Sequence, residues 1–341
     1  MLSLLKVALA LLLATFLSAK EFTLASYNVQ NLFDLHLDHT EYKDYIPNSY
    51  SKWNKKHFQI KLKNLSKVIS ELDADIIALQ EIENKNALQA LQKLTNYPYY
   101  AITNSPSSAI NLAILSRYKI QNQKEIPVQI KGKRKRGILR VKINLDGHSL
   151  YIYNNHWPSK RNPESNRIAY AKALKKDIAK IRTEYIIMGD LNSYYNEHKR
   201  IKRQRKINDT DGISALNHIL PTSYAQKKKR ILINEKNWAK DKNALYNVWL
   251  EFKKEERYNY QYRKKNITLD HILLPYSLGD KKKIDYQDNS FFVFKPPYLF
   301  VGDKINRWQK YSIYKKGKRE YLHLGKGYSD HLPIGVKLIT Y

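Results

Sequence analysis

The stretch Tyr185-Ile-Ile-Met-Gly-Asp-Leu-Asn192 shows how the chain is built. Four apolar residues without alternation mark a strand covered on both faces, and Gly-Asp-Leu-Asn stops it with a turn. Just upstream, Ile168, Ala171, Leu174, Ile178 and Ile181 recur at helical steps, which predicts a helix with one apolar face. The same order of helix and buried strand occurs nearer the N-terminus. There Phe58, Leu62, Leu65, Ile69 and Leu72 line one helix face, and Asp75-Ile-Ile-Ala-Leu79 follows as a strand. Further strands are predicted over 22–29, 111–115, 138–143, 150–153, 269–274 and 334–338. No internal repeat and no Pro/Gly/Ser-rich linker interrupts the pattern. The predicted class is α/β or α+β, with buried sheets covered by helices. Three basic stretches, 199–206, 226–230 and 281–319, lack this periodicity and read as long surface loops suited to substrate contact.

Polar residues cluster where the apolar runs stop. Asn28 follows Phe22–Tyr27, and Glu81 follows Ile76–Leu79. His156 sits in Asn154-Asn-His-Trp157, after Tyr151-Ile-Tyr153, while Asp190 and Asn192 close the opening stretch. Asp270 and His271 lie in another strand, and Asp330-His331 precedes the last one. Each piece alone has an ordinary structural explanation: a turn, a helix cap or a packed loop residue. Together at one end of the sheets they would form a pocket of carboxylates, amides and imidazoles. Oxygen donors without sulfur favour Mg²⁺, Mn²⁺ or Ca²⁺ over zinc, and an imidazole paired with a carboxylate can orient and deprotonate a water. Cleavage of a phosphodiester by water suits that inventory best.

The order of the pieces resembles the endonuclease/exonuclease/phosphatase family, the DNase I-like fold, from Phe22 to Leu338. Ser26-Tyr-Asn-Val-Gln-Asn-Leu-Phe-Asp34 is similar to the opening strand of bacterial secreted nucleases of the family. Ile76-Ile-Ala-Leu-Gln-Glu81 resembles its metal-binding glutamate motif. Asn155-His-Trp-Pro-Ser159, Gly189-Asp-Leu-Asn192, Leu269-Asp-His-Ile-Leu273 and Tyr328-Ser-Asp-His-Leu-Pro333 resemble the remaining motifs, in the family's order. The resemblance implies a four-layered sandwich of two packed mixed sheets flanked by helices. It implies that Glu81 ligates a divalent ion, Mg²⁺ first, with Asn28 and Asp330 close to it. His331, oriented by Asp270, would activate the attacking water or balance phosphoryl charge. His156 would contact the scissile phosphate, and Asp190 and Asn192 would align nucleophile and phosphate oxygen. Arg136 resembles a phosphate-binding family arginine, with Arg140 the competing candidate. No partner carboxylate for His156 is identifiable.

Composition narrows the substrate. The 341 residues carry 61 Lys+Arg against 31 Asp+Glu, a formal charge of +30, so an anionic partner is expected. Gene composition alone could enrich Lys, Asn, Ile and Tyr, yet the acids have not risen with them. There is no cysteine, which excludes a disulfide framework, thiolate metal ligands and a cysteine nucleophile. Met1–Ala19 has one charge, Lys6, an apolar core and a small-residue end, which predicts a signal peptide. The catalytic domain is then expected over 20–341, exported to the periplasm or beyond as a monomer without a membrane anchor.

A secreted nuclease acting on DNA, with RNA as a further substrate and little sequence preference, fits these features. A sphingomyelinase-like phospholipid phosphodiesterase on the same fold is the alternative. It would use the aromatic run Phe291-Phe-Val-Phe-Lys-Pro-Pro-Tyr-Leu-Phe300 at a membrane surface, unless that run is a buried strand and turn. A protein that binds DNA or a cell surface without catalysis is the remaining reading, and it would need none of the acid and imidazole residues.

Overall fold

The computed structural model describes residues 19–105, 108–315 and 317–341. The expected leader, residues 1–19, lies outside the described residues except for Ala19. The first sheet contains β1 (Lys20–Leu32), β2 (Ile76–Ile82), β3 (Tyr99–Ile102) and β4 (Asn111–Ser116). The second contains β5 (Ile120–Ile130), β6 (Lys133–Leu145), β7 (His148–His156), β8 (Glu184–Asp190), β9 (Leu245–Asn247) and β10 (Asp270–Pro275). The chain then returns to the first sheet with β11 (Ile284–Tyr286) and β12 (Ile334–Thr340). The strand orders are β11-β12-β1-β2-β4-β3 and β9-β10-β8-β7-β6-β5, with Phe292–Val293 also paired to β12. Each sheet is mixed around one parallel pair, β1 with β2 and β7 with β8, and both pairs enclose a helical crossover.

Two of the three longer helices are those the apolar spacing predicts; the short one over Lys85–Gln92 is not. Helix α1 (Lys55–Leu72) starts where the Asn54 side chain accepts from the backbone N–H of His57, and α2 (Lys85–Gln92) starts where Asn84 does the same for Ala87. Helix α3 (Glu164–Ile178) ends before Ile181, which packs as a half-buried residue after the last turn.

Strand alternation sorts the core into layers. Leu24, Ile76, Ala78 and Ile114 face Val141, Ile152, Ile186 and Ile272 across the middle of the molecule. Their neighbours Ala25, Tyr27, Ile77 and Leu79 point the other way, onto Leu65, Ile69 and Leu88 of α1 and α2. On the far side, Tyr153 and Ile187 meet Ala171 and Leu174 of α3. The result is the expected sandwich of helix, sheet, sheet and helix. One polar bolt crosses its apolar centre. The Gln80 amide donates to Asn154 Oδ1 at 2.8 Å, and Asn154 Nδ2 donates to the carbonyls of Leu79 at 2.9 Å and Ala113 at 2.8 Å.

The stretch 281–319 is not the loop its sequence suggests. It contributes edge strand β11, several short strands and most of a hairpin, Lys310–Lys315 with Lys318–His323. These strands are too short and too mixed in polarity for a period-two pattern to emerge. Phe291 and Leu299 are buried, so the aromatic run between them packs onto the sandwich as strand and turn. The segment 226–230 spans the tip of a small hairpin (Ser223–Gln226 with Lys229–Leu232), and 199–206 begins in a short helix, Glu197–Arg200.

Candidate active site

Both sheets end at the same edge, and two irregularities aim their side chains there. The pairing of β1 with β2 shifts register after Asn28 and Gln80, and that of β2 with β4 shifts at Glu81. Glu81 has φ +69° and Gln30 and Asn31 have φ +52° and +62°, left-handed values that mark a bulge in each strand. The strands therefore continue past the residues at which the sequence suggests they stop, and the bulge turns Glu81 into the site. At β8, Gly189 has φ +124°, and a Cβ there would lie 2.1 Å from the Asn155 carbonyl. Only glycine lets β8 approach β7 closely enough to set Asp190 beside His156.

The groups meet as follows. Asn28 Nδ2 donates to Glu81 Oε1 at 3.0 Å and to Asp190 Oδ2 at 3.2 Å, joining the two sheets. His156 Nε2 lies 3.7 Å from Glu81 Oε1 and 3.6 Å from Asp190 Oδ2, while its Nδ1 is buried without a partner. These two carboxylates are the acids that flank His156, a pairing invisible in the sequence. His331 Nδ1 contacts Asp270 Oδ2 at 2.5 Å, and its Nε2 lies 4.0 Å from Asp190 Oδ2. The backbone N–H of Asn192 donates to Asp190 Oδ1 at 2.8 Å, and the Asn192 amide donates to the Trp157 carbonyl at 2.9 Å.

The two arginine candidates separate. Arg136 donates to the His156 carbonyl at 2.9 Å and lines the cleft over the site. Arg140 is not brought there. It donates to Asp177 Oδ2 of α3 at 2.7 Å, an acid that also accepts from Tyr153. Four residues further along β6 is about 13 Å, enough to move a side chain from the sheet edge to its middle. Asp330 lines a neighbouring cavity of about 550 Å³. Its charge still reaches Glu81, whose carboxyl is held above its ordinary range by burial and by that repulsion.

Burial dominates the electrostatics. It raises Asp190 to about 8, helped by the charge of Asp270. Burial alone would lower His331, but the Asp270 carboxylate outweighs it and carries the imidazole up to about 10. Burial, with Arg136 and His331, holds His156 well below its ordinary value. Among the described residues no three His, Asp or Glu side chains converge as a closed metal cage. The donor set instead fits an ion that keeps several waters and binds through one carboxylate and substrate oxygens. Glu81, with the Asn28 amide beside it and Asp330 on the neighbouring cavity, is the residue placed to serve as that carboxylate. Glu81 Oε1 and Asp190 Oδ2 accept from the same Asn28 amide, so a cation beside them would meet two adjacent carboxylates.

Several residues that hold the site carry no local sequence signal. The Asn259 amide donates to Asp270 Oδ2, and its carbonyl oxygen accepts from the backbone of Leu269 at 3.1 Å. Tyr260 packs its ring 4.7 Å from that of His331. Ser329 donates to the Asn28 carbonyl at 2.6 Å and ties the His331 loop to β1. Lys61, fully buried in α1, donates to the carbonyls of Gln30 at 3.0 Å and Tyr328 at 2.9 Å.

A family model for the endonuclease/exonuclease/phosphatase family matches residues 23–239. The chain belongs to that family. Enzymes of this family generally work with a divalent metal ion. No curated protein matches the sequence. Among solved structures, a humanised zebrafish (D. rerio) TDP2 superposes with a TM-score of 0.56 at 14% identity, over 93% of this chain and 98% of that one. A zebrafish TDP2 complexed with a single-strand DNA product gives 0.55 at 14% identity, over 94% and 99%. ANGEL2, described as a 2',3'-cyclic phosphatase, gives 0.54 at 12% identity, over 95% and 96%. At these identities the likeness is one of fold.

Proposed function

We propose that the protein is an exported, divalent-metal-dependent nuclease that hydrolyses phosphodiester bonds of DNA, with RNA as a further substrate and little sequence preference. One observation carries the reading. Asn28, Glu81, His156, Asp190, Asp270 and His331 come from six separated segments yet form one connected group. Simple DNA binding does not need that assembly.

His331, charged and fixed by Asp270, holds Nε2 4.0 Å from Asp190 Oδ2 and balances negative charge on a phosphoryl oxygen. Asp190 lies between the two imidazoles, where it orients a water for attack. Asn192, pinned to the Trp157 carbonyl, and Arg136 line the cleft and position phosphate oxygens. His156, kept neutral by burial, hydrogen-bonds the phosphate or the leaving oxygen. An ion at Glu81, Mg²⁺ with Mn²⁺ or Ca²⁺ as substitutes, would supply charge neutralisation for the displacement.

The net charge of +30 favours a polyanionic substrate over neutral lipid. Phe291 and Leu299, the two ends of the aromatic run, are buried, which supports the polyanion over the membrane reading. Export rests on the leader, with residues 20–341 acting as a catalytic monomer. No helix among the described residues is long and apolar enough to cross a membrane. The test is closed-circular plasmid with purified residues 20–341, in Mg²⁺ or EDTA, beside a sphingomyelin release assay. Nicking that EDTA stops, with lipid intact, is expected. Intact plasmid with released headgroup would move the protein to lipid phosphodiesters, and silence in both would leave binding alone.

A further inference from the structure

The cleft over the site encloses about 670 Å³, the scale of a ligand pocket. Its walls are more aromatic and basic than phosphate hydrolysis requires. Tyr42 from the segment after β1 and Tyr262 from the hairpin 260–267 both line it, and the two residues are 42% and 54% exposed. Lys160 and Arg161, which follow the His156 motif directly, line it too. Lys160 is held in place by Glu197, a fully buried carboxylate that accepts from Lys160 Nζ at 2.7 Å and from the Tyr194 backbone at 2.8 Å. Lys160 also lies 4.4 Å from the centroid of the Tyr194 ring. A buried acid that fixes a lysine at the rim of a cleft is a built feature, unlike the mobile lysines of a solvated loop.

We propose that Lys160 and Arg161 bind the phosphate next to the scissile one, while Tyr42 and Tyr262 stack the bases on either side of it. The cleft then selects an unpaired strand. A duplex keeps its base faces inside its own stack and offers only edges and backbone. An unpaired strand offers those faces to exposed rings without regard to sequence. Glu197 is a positioning residue, since it reaches the substrate only through Lys160 and Tyr194.

This inference rests on the nuclease reading, and its test separates the two. Three substrates are compared in Mg²⁺: a single-stranded 12-mer, the same sequence as a duplex, and methyl p-nitrophenyl phosphate, which has no neighbouring nucleotide. The wild-type protein should cleave the single strand at least about tenfold more efficiently than the duplex. Tyr262→Ala and Tyr42→Ala should each lower the ratio of single-strand to small-substrate kcat/KM about tenfold, mainly through KM. Lys160→Met should make the fall of single-strand kcat/KM with salt shallower by about 0.7 in log–log slope. Turnover of the small substrate shows that each variant is folded. Equal cleavage of single strand and duplex, or an unchanged ratio in both tyrosine variants, would overturn the subsite while leaving the phosphodiesterase intact. A wild-type protein that hydrolyses none of the three would overturn the nuclease reading itself.

Discussion

His323 makes stability depend on pH by an amount that can be worked out from its contacts. The ring is buried beneath the hairpin 310–323, among Tyr45, Trp53 and Trp308. Its Nδ1 accepts from the Trp308 indole at 2.8 Å, so Nε2 carries the proton and donates to the Asp44 carbonyl at 2.6 Å. A second proton would have to enter at Nδ1, opposite an indole N–H. Burial, with the charges of Lys310 and His57 against that of Asp44, lowers the group to about 4. The unfolded chain therefore binds this proton below about pH 6.5 while the folded one refuses it until about pH 4.

Stability is complete above the unfolded value and falls as pH drops through that window. The limiting slope is about 1.4 kcal/mol per pH unit, giving a loss of about 2 kcal/mol at pH 5 and about 3 kcal/mol at pH 4. Urea unfolding at pH 7.5 and pH 5 measures it, in the wild-type protein and in His323→Gln, whose amide oxygen still accepts from Trp308. The variant should be less pH-sensitive by about 2 kcal/mol over that interval. Equal pH sensitivity in both proteins would refute the assignment of a neutral, doubly engaged imidazole.

Four further outcomes are expected. His331→Ala should abolish plasmid cleavage with DNA binding retained in a filter or mobility assay; normal cleavage would remove His331 from the chemistry. Glu81→Ala should shift the Mg²⁺ dependence of cleavage to higher concentration, and an unchanged titration would take the ion elsewhere. Arg140→Ala should leave cleavage intact but lower stability by about 2 kcal/mol in urea, because Asp177 loses its closest cation in a mostly buried setting. Gly189→Ala should cost about 3 kcal/mol or more and abolish activity, since its Cβ would collide with the Asn155 carbonyl; near-normal melting would mean that β7 and β8 can separate there.

What the sequence reveals and what it hides follow one rule. Asn28, Glu81, His156 and Asp190 are legible because each sits where a long apolar run stops, and Asp270 because it opens one; burial of the sheets dictates those runs. Arg140 misleads because its partner, Asp177, is fixed only by packing α3 across the sheet. Asn259, Tyr260 and Lys61 are hidden for the same reason: their roles are contacts between segments far apart in the chain. The bulges at Gln30 and Glu81 are also unmarked, since neither carries the glycine that usually signals left-handed backbone. The stretch 281–319 hides its strands because they are short and half exposed.

The bolt of Gln80 and Asn154 and the Asn28 bridge to Asp190 mean that catalysis is assembled across a seam between two halves of the chain. The necessary side chains run from Asn28 to His331, so no truncated translation product carries a full set. The group is complete only when the last strand, β12, has closed on the first, β1.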